Sequence, residues 1–123
     1  FHELGIYSNN LDAIEKSLEL ANQIMTLHVD QEREVLFEFI PKNNSSRDGN
    51  TEKTFIPGHA IESMWFMEKI YRYHEIHEKI DLAMEVVRWH LEKGWDSKAC
   101  GFGGFPAESK HAFRAVKKPP RRT

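Results

Sequence analysis

One cysteine, Cys100, in 123 residues excludes an internal disulfide and a cysteine-built zinc cluster, and it fits a reducing cytoplasm. No apolar run approaches the ~20 residues that a membrane-spanning helix needs, and Phe1-His2-Glu3-Leu4-Gly5 has neither the basic nor the apolar stretch of a signal peptide. There is no initiator Met, from which we expect the chain to begin inside a longer protein or to have been processed. Gly101-Phe102-Gly103-Gly104-Phe105 lacks the Gly-Lys-Ser/Thr continuation of a phosphate loop. Strands and helices do not alternate as in a parallel α/β fold, and no internal repeat is visible. A net charge of −2 gives no electrostatic reason to expect nucleic acid or a membrane as partner. The basic side chains Lys110, Arg114, Lys117, Lys118, Arg121 and Arg122 gather in an acid-free tail, which reads as a solvated segment.

What is present is enough apolar material for one core: 40% hydrophobic residues, with eight Phe and three Trp. Asn9 and Asn10 are cap candidates ahead of a helix over Leu11–Leu27, where Leu11, Ile14, Leu18, Ala21 and Met25 form a stripe at helical spacing. Leu20, Ile24 and Leu27 widen it, so this helix should pack on two neighbours. Val35, Phe37 and Phe39 alternate with their neighbours in a short extended segment that Pro41 ends. Residues 42–53 are polar and carry turn signals, which predicts a surface loop. Pro57 and Gly58 open a second helix to about Tyr73, apolar nearly all round and therefore expected to be buried on most sides. A third helix is expected over about Lys79–Glu92, with Ile80, Ala83, Met84, Val87 and Leu91 inward and Gly94 as its stop. The fold class read from this pattern is all-α, built from helical hairpins.

Chemistry concentrates at the start of the second helix. His59 and Glu62 lie one turn apart, and His59, Ser63 and Phe66 share a face. A helix start disfavours an imidazolium, and a carboxylate neighbour can fix ring orientation and tautomer, which together suit a general base. His74-Glu75-Ile76-His77 is not the His-Glu-x-x-His arrangement of zinc proteases and is read as a charged turn; no metal and no cofactor is expected. Cys100 has no supporting catalytic motif. His28 and His90, near helix C-termini where an imidazolium suits the dipole, are read as structural.

The run Pro57-Gly58-His59-Ala60-Ile61-Glu62-Ser63-Met64-Trp65 resembles the Pro-Gly-His-x-x-Glu-x-x-Trp signature of the N-acylglucosamine 2-epimerase superfamily, which includes cellobiose 2-epimerases and mannose-type aldose–ketose isomerases. The resemblance extends upstream through Leu36-Phe37-Glu38-Phe39 and downstream to Trp89–Asp96, covering about Leu11 to Asp96. It implies an (α/α)6 toroid with a sugar pocket at one end, incomplete here because three helices cannot close six hairpins. It also implies base-catalysed proton transfer at C2 of a reducing sugar, through an enediolate. By motif, His59 and Glu62 would be catalytic, and Glu38 and Trp65 would contact substrate, although on an apolar helix Trp65 reads more readily as core. The domain reading is residues 1–96 as a partial helical barrel and 97–123 as an irregular basic tail. The expected partner is a small carbohydrate; the truncated chain should also self-associate through uncovered apolar faces. The alternative function is a non-catalytic sugar-binding or protein-interaction module.

Overall fold

The structure is a computed structural model that describes residues 1–42, 54–96 and 101–102. Four helices dominate it: α1 (His2–Ser8), α2 (Leu11–Leu27), α3 (Pro57–Tyr73) and α4 (His77–Gly94). Two-residue ladders join them. Strand β1 (Val29–Asp30) pairs antiparallel with β2 (Val35–Leu36), and β3 (Trp95–Asp96) pairs with β4 (Gly101–Phe102). The fold is all-α, a partial toroid of packed helices. Residues 43–53 of the loop expected over 42–53, Cys100, residues 103–106 and the basic tail lie outside the described residues.

The boundaries of α2 and α3 follow from their first residues. The Asn10 side-chain oxygen accepts from the Ala13 backbone N–H at 3.1 Å, capping α2. Asn9, the other cap candidate, instead closes α1, a helix the sequence pattern does not reveal. Asn9 takes the left-handed conformation (φ 53°) that ends helices, while the Asn10 N–H returns to the Gly5 carbonyl at 2.8 Å. Pro57 starts α3, where its missing N–H costs nothing.

Gly5 is where α1 meets α2. A Cβ there would lie 2.7 Å from Ile14 Cγ1 and 3.0 Å from the Ile14 backbone nitrogen. Alanine at Gly5 gains up to ~1 kcal/mol of helix propensity, but overpacking typically costs about 1–3 kcal/mol, and here backbone is in the way. The expected outcome is a net loss, read as a lower urea midpoint for Gly5→Ala.

The core forms between α3 and α4, with α2 packed against it. Ala60, Met64, Met67 and Tyr71 of α3, spaced four, three and four, face Ala83, Val86 and Trp89 of α4 and Ala21 and Met25 of α2. Tyr71 is fully buried except that its hydroxyl donates to Asn22 Oδ1 at 3.0 Å, tying α3 to α2; burial pushes its pKa up to about 12. Helix α2 packs on both α1 and α3, as its broad apolar face predicts. The turn between α3 and α4 is short. Glu75 adopts φ 57°, and the Ile76 N–H reaches back to the Tyr71 carbonyl at 3.0 Å, folding the pair into an antiparallel hairpin. His74 is the C-cap of α3, in the turn, and His77 is the first residue of α4; no group of three or more His, Cys, Asp or Glu able to hold a metal ion occurs among the described residues.

Two burial expectations need correction. In α4 the inward face is Ala83, Val86, Trp89 and His90, whereas Met84 and Leu91 are 45% and 43% exposed. The stripe is turned by about one residue because His90 is a core side chain whose polar atoms are both bonded, as described below. In α3, Trp65 and Phe66 are exposed rather than buried; they lean on each other (centroids 5.3 Å apart), and Lys69 Nζ lies 4.3 Å over the Trp65 ring. Gly94 is also not a left-handed stop: it is the last residue of α4, and Trp95 continues into the extended β3. No helix among the described residues is long and apolar enough to cross a membrane.

Candidate functional site

The polar residues singled out on α3 open onto a cleft beside the β1–β2 hairpin. Its floor is apolar, from Ile24, Leu36 and Phe37. Its polar groups are His28, Glu38, His59, Glu62 and Ser63, and its volume is about 330 Å³, near the lower end for small-ligand sites.

The hairpin sets the geometry on one side. Phe37 donates its N–H to the His28 carbonyl (2.9 Å), extending the β1–β2 ladder by one pair, and the His28 ring nitrogen Nδ1 lies 2.7 Å from the Phe37 carbonyl. A carbonyl can only accept, so Nδ1 carries the proton. One residue on, the Glu38 N–H donates to the Thr54 carbonyl at 2.8 Å, binding the hairpin exit to the segment that leads into α3. This brings Glu38 against the first turn of α3, where His59 sits three residues into the helix.

His59 Nδ1 lies 3.2 Å from Glu38 Oε1. With the carboxylate accepting, Nδ1 bears the proton and Nε2 is left as the ring's second nitrogen. His59 is largely exposed (61%) whereas Glu38 is mostly covered (23%), so the fixed member of the pair is the carboxylate. The ring partner expected from spacing was Glu62. Glu62 does line the cleft one turn along, but the carboxylate that touches the ring comes from 21 residues earlier in the chain. Glu38, His59 and Glu62 are thus brought together. Trp65 is not among the cleft residues, since six residues after His59 a helix has turned its side chain to another face.

His90 is the second correction. Its Nδ1 lies 2.8 Å from the Val86 carbonyl and must donate to it, while Nε2 accepts from the Leu36 backbone N–H at 3.2 Å. A ring that accepts at Nε2 is neutral, not the imidazolium that proximity to a helix end suggested. Burial in the core also holds its pKa below the ordinary histidine range. It is structural, and it pins the cleft-forming strand β2 to α4.

Two cleft residues were given no site role from sequence. Ser63 was placed on the His59 face but not assigned. From sequence, His28 at a helix end reads as structural; the missing signal is strand β1, since a hairpin through the turn at residues 31–34 sets His28 opposite Phe37.

A comparison with curated proteins finds no match. The family model described as N-acylglucosamine 2-epimerase (GlcNAc 2-epimerase) matches residues 8–115, most of the chain, and takes in every residue of the cleft. Helical architecture, the His59 segment and this match agree, and the chain belongs to the N-acylglucosamine 2-epimerase family of sugar epimerases and isomerases.

Proposed function

We propose that the cleft binds the open-chain form of a reducing sugar and that His59 moves a proton at its C2. The observation that carries this is the His59–Glu38 contact at 3.2 Å, in a cleft of a chain that belongs to a sugar epimerase and isomerase family. Opening the sugar ring exposes the C1 carbonyl, and only then is the C2 hydrogen acidic enough to remove. His59 Nε2 takes that proton, and the C–H electron pair moves into a C1–C2 double bond as the carbonyl oxygen gains charge. The enediolate so formed needs hydrogen-bond donors at its oxygens. Glu38 holds the ring in the tautomer that accepts at Nε2 and stabilises the positive charge that develops on it. Return of a proton to the opposite face of C2, from a second acid on that side, gives the epimer; return to C1, with the O2 hydroxyl proton passing to O1, gives the ketose. Glu62, which lines the same cleft one turn along α3, binds sugar hydroxyls or assists proton transfer.

The test is exchange of the C2 hydrogen of N-acetylmannosamine, mannose or cellobiose with solvent deuterium, followed by NMR. Exchange that requires His59 supports the proposal; folded chain with no exchange on any of these sugars defeats it. The exposed Trp65 and Phe66 favour a second reading, in which the chain associates with itself or a partner and binds sugar without turnover. Sugar binding without exchange, with sedimentation that rises with concentration, would establish that one.

A further inference from the structure

The cleft holds a second imidazole that the proton-transfer chemistry does not use. We propose that His28 is a substrate-contacting residue, its Nε2 accepting a hydrogen bond from a hydroxyl of the sugar in the cleft. This rests on the reading of the cleft as a reducing-sugar site and adds a binding contact to it.

Three observations carry it. His28 lines the same cleft as Glu38 and His59. Its Nδ1 is committed to the Phe37 carbonyl at 2.7 Å, which fixes both the tautomer and the ring plane. Nε2 makes no hydrogen bond among the described residues and is not one of their buried unpartnered atoms, so the end of the ring away from Phe37 is accessible on a residue that lines the cleft. With Nδ1 committed as the donor, Nε2 is the nitrogen left to accept, and it matches a hydroxyl donor. A polyhydroxy ligand has one to offer at almost any position along its chain, and Leu36 and Phe37 add apolar lining beside the contact.

A purely structural His28 would act through its Nδ1 contact with Phe37, and the two roles use different ends of the ring. Asparagine places its amide N–H near the position of Nδ1, whereas glutamine places its amide near Nε2. With the 123-residue chain, binding of N-acetylmannosamine, mannose and cellobiose is titrated by NMR for the parent, His28→Asn, His28→Gln and His28→Ala, with urea midpoints measured alongside. The expected result is that His28→Asn keeps the parent midpoint yet binds sugar about tenfold more weakly, the scale of one hydrogen bond. His28→Gln should bind within about threefold of the parent, on the same scale. His28→Asn binding as well as the parent, or His28→Gln losing as much as His28→Ala, overturns the proposal. So does a folded chain that binds none of the three sugars. Binding is read apart from C2 exchange. A chain that binds sugar through His28 but exchanges no C2 hydrogen sinks the role of His59 as base and leaves that of His28 standing.

Discussion

Replacing His59 with alanine is expected to remove C2 hydrogen exchange by about 10²–10⁴-fold, the range that a positioned general base supplies. The fold should be untouched, because the ring is 61% exposed and, among the described residues, its hydrogen bond is a surface contact to Glu38. Glu38→Gln should fall between parent and His59→Ala. The amide can still accept from Nδ1, but it carries no charge to stabilise the imidazolium that forms as the proton arrives. Exchange rates for the three chains at saturating sugar, with circular dichroism on each, check both statements. If Glu38→Gln matched the parent, the contact at 3.2 Å would be incidental. Loss of exchange in Glu62→Gln beyond that in Glu38→Gln would make Glu62 the more important carboxylate.

The largest effect on stability is expected at His90, which is fully buried with both nitrogens bonded to backbone. His90→Ala leaves a cavity between α4 and β2 and strands the Leu36 N–H without a partner. Core truncation costs about 2–5 kcal/mol, and a buried donor left unsatisfied adds about 1–3. Their sum is a large part of the ~5–15 kcal/mol that holds a domain together, so the variant should be largely unfolded or show a sharply lower urea midpoint. The same residue gives the parent a pH dependence with a definite sign. Burial lowers its pKa in the folded chain below the ordinary value of 6.5, so in the window between those two values the unfolded state binds more protons. Stability therefore rises with pH there: the contribution of neutral His90 is fully present above about 6.5 and is lost as pH falls toward the folded pKa. Urea midpoints measured downward from pH 7.5 should decline. A His90→Gln chain, which keeps one donor and one acceptor but does not titrate, should decline less.

These two histidines also mark what can and cannot be read from the chain. Helices α2 and α3 begin where expected because their starts are local: an Asn side chain reaching three residues on, and a proline whose missing N–H suits a first turn. The Pro57–Trp65 segment likewise announces its family and the His59 position without any tertiary information. The partner of His59 is not local. Glu38 is separated from it by 21 residues and arrives through a backbone bond from its N–H to Thr54, which periodicity cannot reveal. The face of α4 was misplaced for a related reason. Apolar residues occur on two sides of that helix, and the buried side is chosen by His90, a polar residue whose partners lie on strand β2 and one turn back. Helix α1 was missed because seven residues are too few for a periodic pattern, and Phe1, Leu4 and Tyr7 point outward.

The Leu36 amide, held by a histidine nitrogen rather than by a carbonyl, offers a reporter within the molecule. In a two-residue ladder an amide is ordinarily released by small openings, yet this one ends in the fully buried ring of α4. Its exchange with heavy water should therefore be as slow as that of the α3–α4 core amides, while neighbouring hairpin amides exchange faster. One slow signal would then time how often the wall of the cleft parts from the helix behind it.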